Sequence, residues 1–340
     1  MRLKSRTFAT LAALAASFQI AAAAPAKSSA APGSGKESKT LRIGYQKYGT
    51  LILLKTQESL EKTLAEKGWK VEWKLFQSGP VLLEALNAGS LDFGTTGEAP
   101  PIFAQAAGAP IRYVGFEPPS AEGEAILVPK DSPLKSVSDL KGKKVALNKG
   151  SNVHYLLVKA LEKAGVAYKD VQTIFLSPPD GRAAFERGSV DAWVIWDPFL
   201  GAAQAQLGAR TLADGTGLVS NTQFYFASEA FADSHPQLVR DVLAAVADAD
   251  RTALKRPAEA ASLLAPEVGL SAAVLEPLVK RLGLGVEIIN DAAIAEQQKI
   301  ADAFHALGLI PKKLSVKEAQ WLPAPEVAAE VREFPERFGE

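Results

Sequence analysis

Four short stretches of this chain combine glycine with hydroxyl and amide side chains: Gln46-Lys-Tyr-Gly49-Thr50, Gln77-Ser-Gly79-Pro80, Thr95-Thr96-Gly97-Glu98 and Lys149-Gly-Ser151-Asn152. Each lies where a strand gives way to a helix. A helix N-terminus carries unpaired N–H groups and a partial positive charge, so it holds an anion without needing a full cation. Several such ends meeting in one cleft would bind a small oxyanion. Taken singly, Ser78 and Ser151 suit the role of helix caps equally well, and the glycines that of turn formers. Four of them together favour the anion site.

Two carboxylates stand beside these turns. In Trp193-Val-Ile-Trp196-Asp197-Pro198, Asp197 before proline suits an N-cap followed by the first helical position. Trp193 and Trp196 differ by three positions and fall on opposite faces of a strand, one for the core and the other to wall a cleft. Glu98 precedes Pro100-Pro101 and occupies a similar place. Each carboxylate is a cap or a ligand contact, and as a pair they would also suit general acid–base work on a glycoside. No G-x-S-x-G elbow, Walker A pattern or G-x-G-x-x-G accompanies them. His154, in the helix that Ser151 begins, completes the set that a proton-transfer enzyme would use, although a lone histidine more often packs or hydrogen-bonds.

The elements that must position these residues alternate between strand and helix, the grammar of a parallel α/β sheet. Strands are expected at 41–45, 71–75 and 91–93, with helices over 49–67 and from Ser78 to Gly89. The same order returns about a hundred residues later. Gly89-Ser-Leu-Asp92-Phe93 aligns with Gly188-Ser-Val-Asp191-Ala192 at an offset of 99, which also takes Glu98 to Asp197. The chain is therefore expected to form two similar α/β lobes, the second inserted in the first: residues 41–126 plus 224–321, and residues 127–223. Glu124–Val128 and Asn221–Ala227 read as the outbound and returning crossings. Helices after Ser228 are expected to pack on the first lobe, and residues 322–340 to form a tail.

Composition narrows the chemistry. The 340 residues hold 38 basic and 38 acidic side chains, no cysteine and three histidines. Balanced charge offers no field for nucleic acid or an acidic membrane. The histidines lack metal-ligand spacing, and neither a metal nor a cofactor is called for. Arg2, Lys4 and Arg6 lead into an uncharged, alanine-rich run ending near Ala24-Pro-Ala26, the pattern of a secretory signal peptide over residues 1–26. Residues 27–40 read as a flexible leader. Export to the periplasm, without membrane insertion, is the expectation.

The stretches Thr95-Thr-Gly-Glu-Ala-Pro-Pro101, Val114-Gly-Phe-Glu-Pro-Pro119, Lys149-Gly-Ser-Asn-Val-His-Tyr155 and Val190-Asp-Ala-Trp-Val-Ile-Trp-Asp-Pro198 resemble the periplasmic aliphatic sulfonate-binding proteins, the substrate-binding subunits of ATP-binding-cassette importers. The resemblance runs from about Leu41 to Trp321. It implies a class II periplasmic-binding-protein fold, a sulfonate held between lobes, a permease as partner, a monomer and no enzymatic activity. By it, Gln46, Gly79, Thr96, Gly97, Glu98, Ser151, Asn152, Trp196 and Asp197 would line the site. Taurine, nitrate and sulfate esters are the alternative ligands, and an enzyme on the same scaffold the remaining one. A sulfonate stays ionised at any biological pH and carries acceptors only, so neutral N–H and O–H donors suffice. Because it does not titrate, its affinity is expected to be nearly flat with pH.

Overall fold

In the computed structural model of the protein, which describes residues 39–327, two sheets of the same design carry the turns named above. The expected signal peptide (1–26), residues 27–38 of the leader and residues 328–340 of the tail lie outside the described residues. The chain runs β1 (Lys39–Tyr45), α1 (Thr50–Gln57), α2 (Ser59–Glu66), β2 (Trp69–Leu75), α3 (Gly79–Asn87), β3 (Phe93–Gly97), α4 (Pro100–Ala106) and β4 (Ile111–Phe116). It continues through β5 (Glu124–Val128), β6 (Lys144–Leu147), α5 (Asn152–Lys163), β7 (Gln172–Phe175), α6 (Pro178–Glu186), β8 (Ala192–Trp196), α7 (Phe199–Leu207) and β9 (Arg210–Asp214). It ends with β10 (Gln223–Ser228), α8 (Glu229–Ser234), α9 (Pro236–Lys255), α10 (Pro257–Val268), α11 (Ala272–Lys280), β11 (Glu287–Ile288) and α12 (Asp291–Ala306).

One sheet has the order β11-β4-β10-β3-β1-β2 and the other β7-β6-β8-β5-β9. Reading β6, β7 and β8 as the counterparts of β1, β2 and β3 makes the two orders equivalent apart from the extra edge strand β11. In each, three parallel strands are followed by one antiparallel strand, β10 or β5. The repeated Gly-Ser-x-Asp has one physical job in both. Gly89 (φ 69°) and Gly188 (φ 66°) stop α3 and α6 in the left-handed region that glycine tolerates. Asp92 and Asp191 then each accept a 2.8 Å hydrogen bond from the N–H of Arg42 or Lys144, which ties the third strand of each sheet to its first. The central strands β3 and β8 are buried throughout, as strands covered by helices on both faces must be. The C-terminal helices join the first lobe. Leu238, Val239, Val242, Leu243 and Val246 line one face of α9 at helical spacing and enter its core. Trp321 and Val327 pack there as well.

The crossings differ from expectation. Glu124–Val128 is an inner strand, paired with β8 on one side and β9 on the other. All five residues are buried, and buried backbone N–H and C=O groups of that kind are satisfied inside a sheet. The chain passes between sheets over residues 117–123 and 215–222. These two segments bond to each other: Glu117 N–H to the Gln223 carbonyl (2.9 Å), Ser120 N–H to that of Ser220 (2.9 Å) and Gly215 N–H to that of Ala121 (3.1 Å).

A buried acid pair anchors the first crossing. The Thr50 hydroxyl lies 2.8 Å from Glu117 Oε1 and 2.5 Å from Asp250 Oδ1. A hydroxyl has one proton to give, so one of the carboxyls donates to it and is itself protonated. Asp250 Oδ2 accepts from Gly285 N–H and Val286 N–H, and Glu117 also accepts from the Tyr225 hydroxyl. Burial, then repulsion from Asp250, pushes the Glu117 carboxyl well above the ordinary range, and burial pushes Asp250 up to about 6. An unfolded carboxyl titrates near 4 (roughly). The shared proton therefore stabilises the fold fully in acid, and its contribution is lost as pH rises through the folded value. The melting temperature is expected to fall between pH 5 and pH 8, and Asp250→Asn, which supplies an N–H where the proton sat, to make that decline shallower. Calorimetric melts across the range check it.

Candidate functional site

The four glycine turns converge. A small cavity of about 20 Å³ between the sheets is lined by Gln46 and Tyr48, by Gly79, by Gly97 and Pro100, by Ser151 and Asn152, by Trp196, and by Asn221 and Gln223. Each group comes from the carboxyl end of a strand or from the second crossing, where an open parallel sheet presents its ligand site. No lysine, arginine, histidine or carboxylate is in that lining. Neither Ser78 nor Ser151 caps its helix through the side chain, so the first N–H groups of α3 and α5 keep their orphan donors. The caps that would have made these turns merely structural are absent from both. Trp196 walls the cavity, while Trp193 is buried in the second lobe against Phe185 and Phe199.

A chain of amides stitches the two lobes across the cavity. Asn152 Nδ2 donates to Asn221 Oδ1 (2.6 Å), Asn221 Nδ2 to the Ser120 carbonyl (2.9 Å), and Ala99 N–H to Asn152 Oδ1 (3.3 Å). Gln46 Nε2 donates to the Thr95 carbonyl at 3.2 Å. The Ser151 hydroxyl turns to the Asn148 carbonyl at 2.7 Å, and the Tyr48 hydroxyl lies 3.1 Å from Ser120 Oγ. A Cβ at position 97 would fall 2.0 Å from Asn152 Nδ2, so the lobes approach this closely only over glycine.

Of the nine residues implied by the resemblance, Gln46, Gly79, Gly97, Ser151, Asn152 and Trp196 line the cavity; Thr96, Glu98 and Asp197 stand behind it. Thr96 is fully buried and donates to the Gly97 carbonyl. Glu98 Oε2 accepts from the Ser220 hydroxyl and from Thr222 N–H at 3.1 Å. Asp197 lies one residue before the expected place, since Pro198 is the N-cap of α7, but its side chain still bonds the first turn and pairs with an arginine. Its Oδ1 accepts from Gly201 N–H (3.1 Å) and Arg281 Nη2 (2.7 Å), and its Oδ2 from Arg281 Nε (2.5 Å). Asp197 is buried, is paired with Arg281 and is outside the cavity lining, so it does not face a ligand ammonium there. His154 is likewise occupied: Nδ1 accepts from Gly150 N–H and Nε2 faces the Tyr168 hydroxyl at 2.7 Å. Burial lowers its pKa to about 4, so the ring is neutral, stacked on Phe103 and tilted against Phe304. Sequence reasoning passed over Asn221, Gln223 and Arg281. Their partners lie in other segments, 69 residues away for the Asn152–Asn221 bond and 84 for Asp197–Arg281, and no local pattern marks them.

Gln46, Tyr48 and Trp196 also border a wider chamber of about 450 Å³, walled by Phe76, Phe199 and Leu270 with Lys47, Gln77, Arg182 and Gln206 among them. A hollow of about 540 Å³ along the second crossing, against α12, shares none of the glycine turns and none of this donor set.

Two α/β lobes of one topology, joined by paired crossings and closed over a cavity of neutral donors, define a class II periplasmic-binding-protein fold. The chain matches the NMT1/THI5-like family over residues 64–260. A relative from Escherichia coli (strain K12), carrying the provisional name of an aliphatic sulfonates-binding protein, is 45% identical over 84% of this chain and 89% of its own length. The alkanesulfonate-binding protein SsuA from Xanthomonas axonopodis pv. citri, solved bound to MOPS, is 42% identical with a TM-score of 0.81, covering 84% of this chain and 99% of that one. The periplasmic aliphatic sulphonate binding protein SsuA from Escherichia coli is 44% identical with a TM-score of 0.77, over 84% and 93%. This chain belongs to the aliphatic sulfonate-binding proteins within the NMT1/THI5-like family. The desulfurization enzyme DSZB shares the fold alone, at 18% identity and a TM-score of 0.62 over 88% of this chain and 99% of that one.

The Asp197–Arg281 pair joins the start of α7 to the end of α11, with Asp197 buried and Arg281 partly exposed. Removing one partner of a buried pair leaves an uncompensated charge and costs about 3 kcal/mol, whereas removing both costs much less. Arg281→Met should therefore lower stability in urea denaturation more than the Asp197→Asn/Arg281→Met double variant does.

Proposed function

We propose that this protein captures aliphatic sulfonates by closing its two lobes over them, and that it delivers them to the permease of an ATP-binding-cassette importer for sulfur acquisition. The observation that supports this reading best is the cavity lining, where neutral donors from uncapped helix starts meet with no cation and no carboxylate. Such a site suits a permanent monoanion that carries only acceptors. Hydrogen phosphate, which keeps a proton near neutral pH, would want a strong acceptor that the lining lacks. The sulfonate group would sit among Gln46, Gly79, Gly97, Ser151 and Asn152. Its organic tail would point past Trp196 into the wider chamber, where Phe76, Phe199 and Leu270 offer apolar surface beside Lys47 and Arg182.

The groups a proton-transfer enzyme would need are turned to other tasks. Asp197 is held by Arg281 and His154 by Gly150 and Tyr168, while Glu98 is fully buried outside the cavity lining, away from any ligand there. In this reading the protein is a carrier that returns its ligand unchanged. It works as an exported monomer in the periplasm, where its relative SsuA from Escherichia coli is described. Closure brings surfaces of both lobes into one relative arrangement for the permease to recognise, and transport energy comes from the importer.

Titration calorimetry with ethanesulfonate, longer alkanesulfonates, taurine, sulfate and nitrate tests the reading. The alkanesulfonates are expected to bind, and sulfate bound without any organosulfonate would overturn it. Asn152→Ala removes an amide that reaches both lobes and should cost on the order of 1–2 kcal/mol of binding. Gly97→Ala should cost more, because the new methyl would occupy the place of the Asn152 amide when the lobes close. Because Asp197 is buried outside the cavity lining and paired with Arg281, Asp197→Asn is expected to weaken taurine and ethanesulfonate by the same factor.

A further inference from the structure

Two buried carboxyls lie at the junction of the lobes. Glu98 ends the path out of β3 in the first lobe, and Glu124 opens β5 in the second. Both are fully buried. No protein group hydrogen-bonds Glu98 Oε1 or either carboxyl oxygen of Glu124. Glu124 stands opposite Trp196 in the antiparallel β5–β8 ladder, on the sheet face that carries the cavity wall. Both crossings run past the pair. Ser220 and Thr222 of the second bind Glu98, and Gly123 of the first is packed so tightly that a Cβ there would lie 2.8 Å from the Tyr48 hydroxyl.

We propose that Glu98 and Glu124 together form a proton site at the hinge, filled when the lobes close and emptied when they open. A buried carboxylate with no donor and a second carboxylate beside it is untenable as a charged group, and neutralises instead. Burial, then the neighbouring Glu98, holds the Glu124 carboxyl well above the ordinary carboxylate range. Burial raises Glu98 against the donors of the second crossing. The surrounding ionisable groups do not relieve them. Tyr48, from the turn after β1, and Tyr155, from α5, are neutral phenols raised by burial. Glu117 on the first crossing is engaged with Thr50, Tyr225 and Asp250. Asp197, after β8, is matched by Arg281 of the α11 terminus. Among the described residues no cation is bonded to either Glu98 or Glu124.

The inference rests on the capture of a sulfonate by closure. Opening the lobes about residues 117–123 and 215–222 admits water to the pair, which then ionises near the usual carboxylate value. Closing takes a proton from solvent and opening returns it, so the proton is a second ligand of the closed form. Affinity for a ligand that never titrates should thus fall as pH rises, by at most about tenfold per pH unit for one linked proton.

The experiment is titration calorimetry of the full chain with ethanesulfonate from pH 6 to pH 8, in phosphate, imidazole and Tris, which carry no sulfonate. Wild-type Kd is expected to rise at least about threefold over that range, and the heat to vary with buffer ionisation heat in the sense of proton uptake. Glu124→Gln has the shape of the protonated acid and should lose both effects, binding at pH 8 as wild type does at pH 6. A flat wild-type profile without proton uptake overturns the proposal while leaving sulfonate binding intact, and so does a Glu124→Gln variant that keeps the wild-type profile. Ethanesulfonate binding at no pH overturns the sulfonate reading and this one with it. Should Glu124→Gln fail to fold, Asp250→Asn decides: uptake that persists in it supports the hinge pair, and uptake that vanishes assigns the proton to Glu117 and Asp250 instead.

Discussion

The approach of Asn152 to Gly97 sets how near the two lobes can come, and the rest of the site follows from it. With 2.0 Å between the amide and an added Cβ, position 97 has room for hydrogen alone. That closeness lets one amide serve both lobes, accepting from Ala99 N–H on one side and donating to Asn221 on the other. It also brings the starts of α3 and α5 to the same small space. A cleft held open by even one larger side chain would leave those helix ends facing water, where their partial charges are worth little.

An anion site surrounded by acids sets an electrostatic problem that the fold solves differently at each carboxyl. Asp197 is matched by a bidentate arginine. Glu117 and Asp250 share a proton through Thr50. Glu98 leans on the hydroxyl and backbone of the second crossing, and no protein group hydrogen-bonds the Glu124 carboxyl. The shared outcome is that little unscreened negative charge faces the cavity. The donors lining it can then act on a ligand at short range without opposing a long-range field.

Much of this was legible in the sequence, for a physical reason. The repeat at an offset of 99 is carried by Gly89 and Gly188, which need the left-handed backbone, and by Asp92 and Asp191, whose carboxylates bind the first strand of each sheet. Such residues perform local tasks and leave local marks. The glycine turns are of this kind too, and the cavity lies among them. The crossings were misplaced because Glu124–Val128 reads as extended chain whether it bridges two sheets or lies inside one; only the positions of β8 and β9 decide. Arg281 was passed over because an arginine late in a helix looks like a surface charge until the fold sets it against Asp197. Glu124 gave no sign, since its character comes from what fails to reach it.

The paired crossings carry one more consequence. Gly215 N–H bonds to the Ala121 carbonyl, so the second lobe leaves and re-enters the first at neighbouring points, and its five strands are drawn from one continuous stretch of chain. In genetic terms it is a cassette. A recombination that replaced residues 124–214 by another lobe of the same strand order would need to match the frame at only two adjacent joints. The half of the cavity that carries Ser151, Asn152 and Trp196 could then be exchanged as a block while Gln46, Gly79 and Gly97 stay behind. A scaffold divided in this way can acquire a new ligand by swapping half of its site, with the C-terminal helices and their core left as they were.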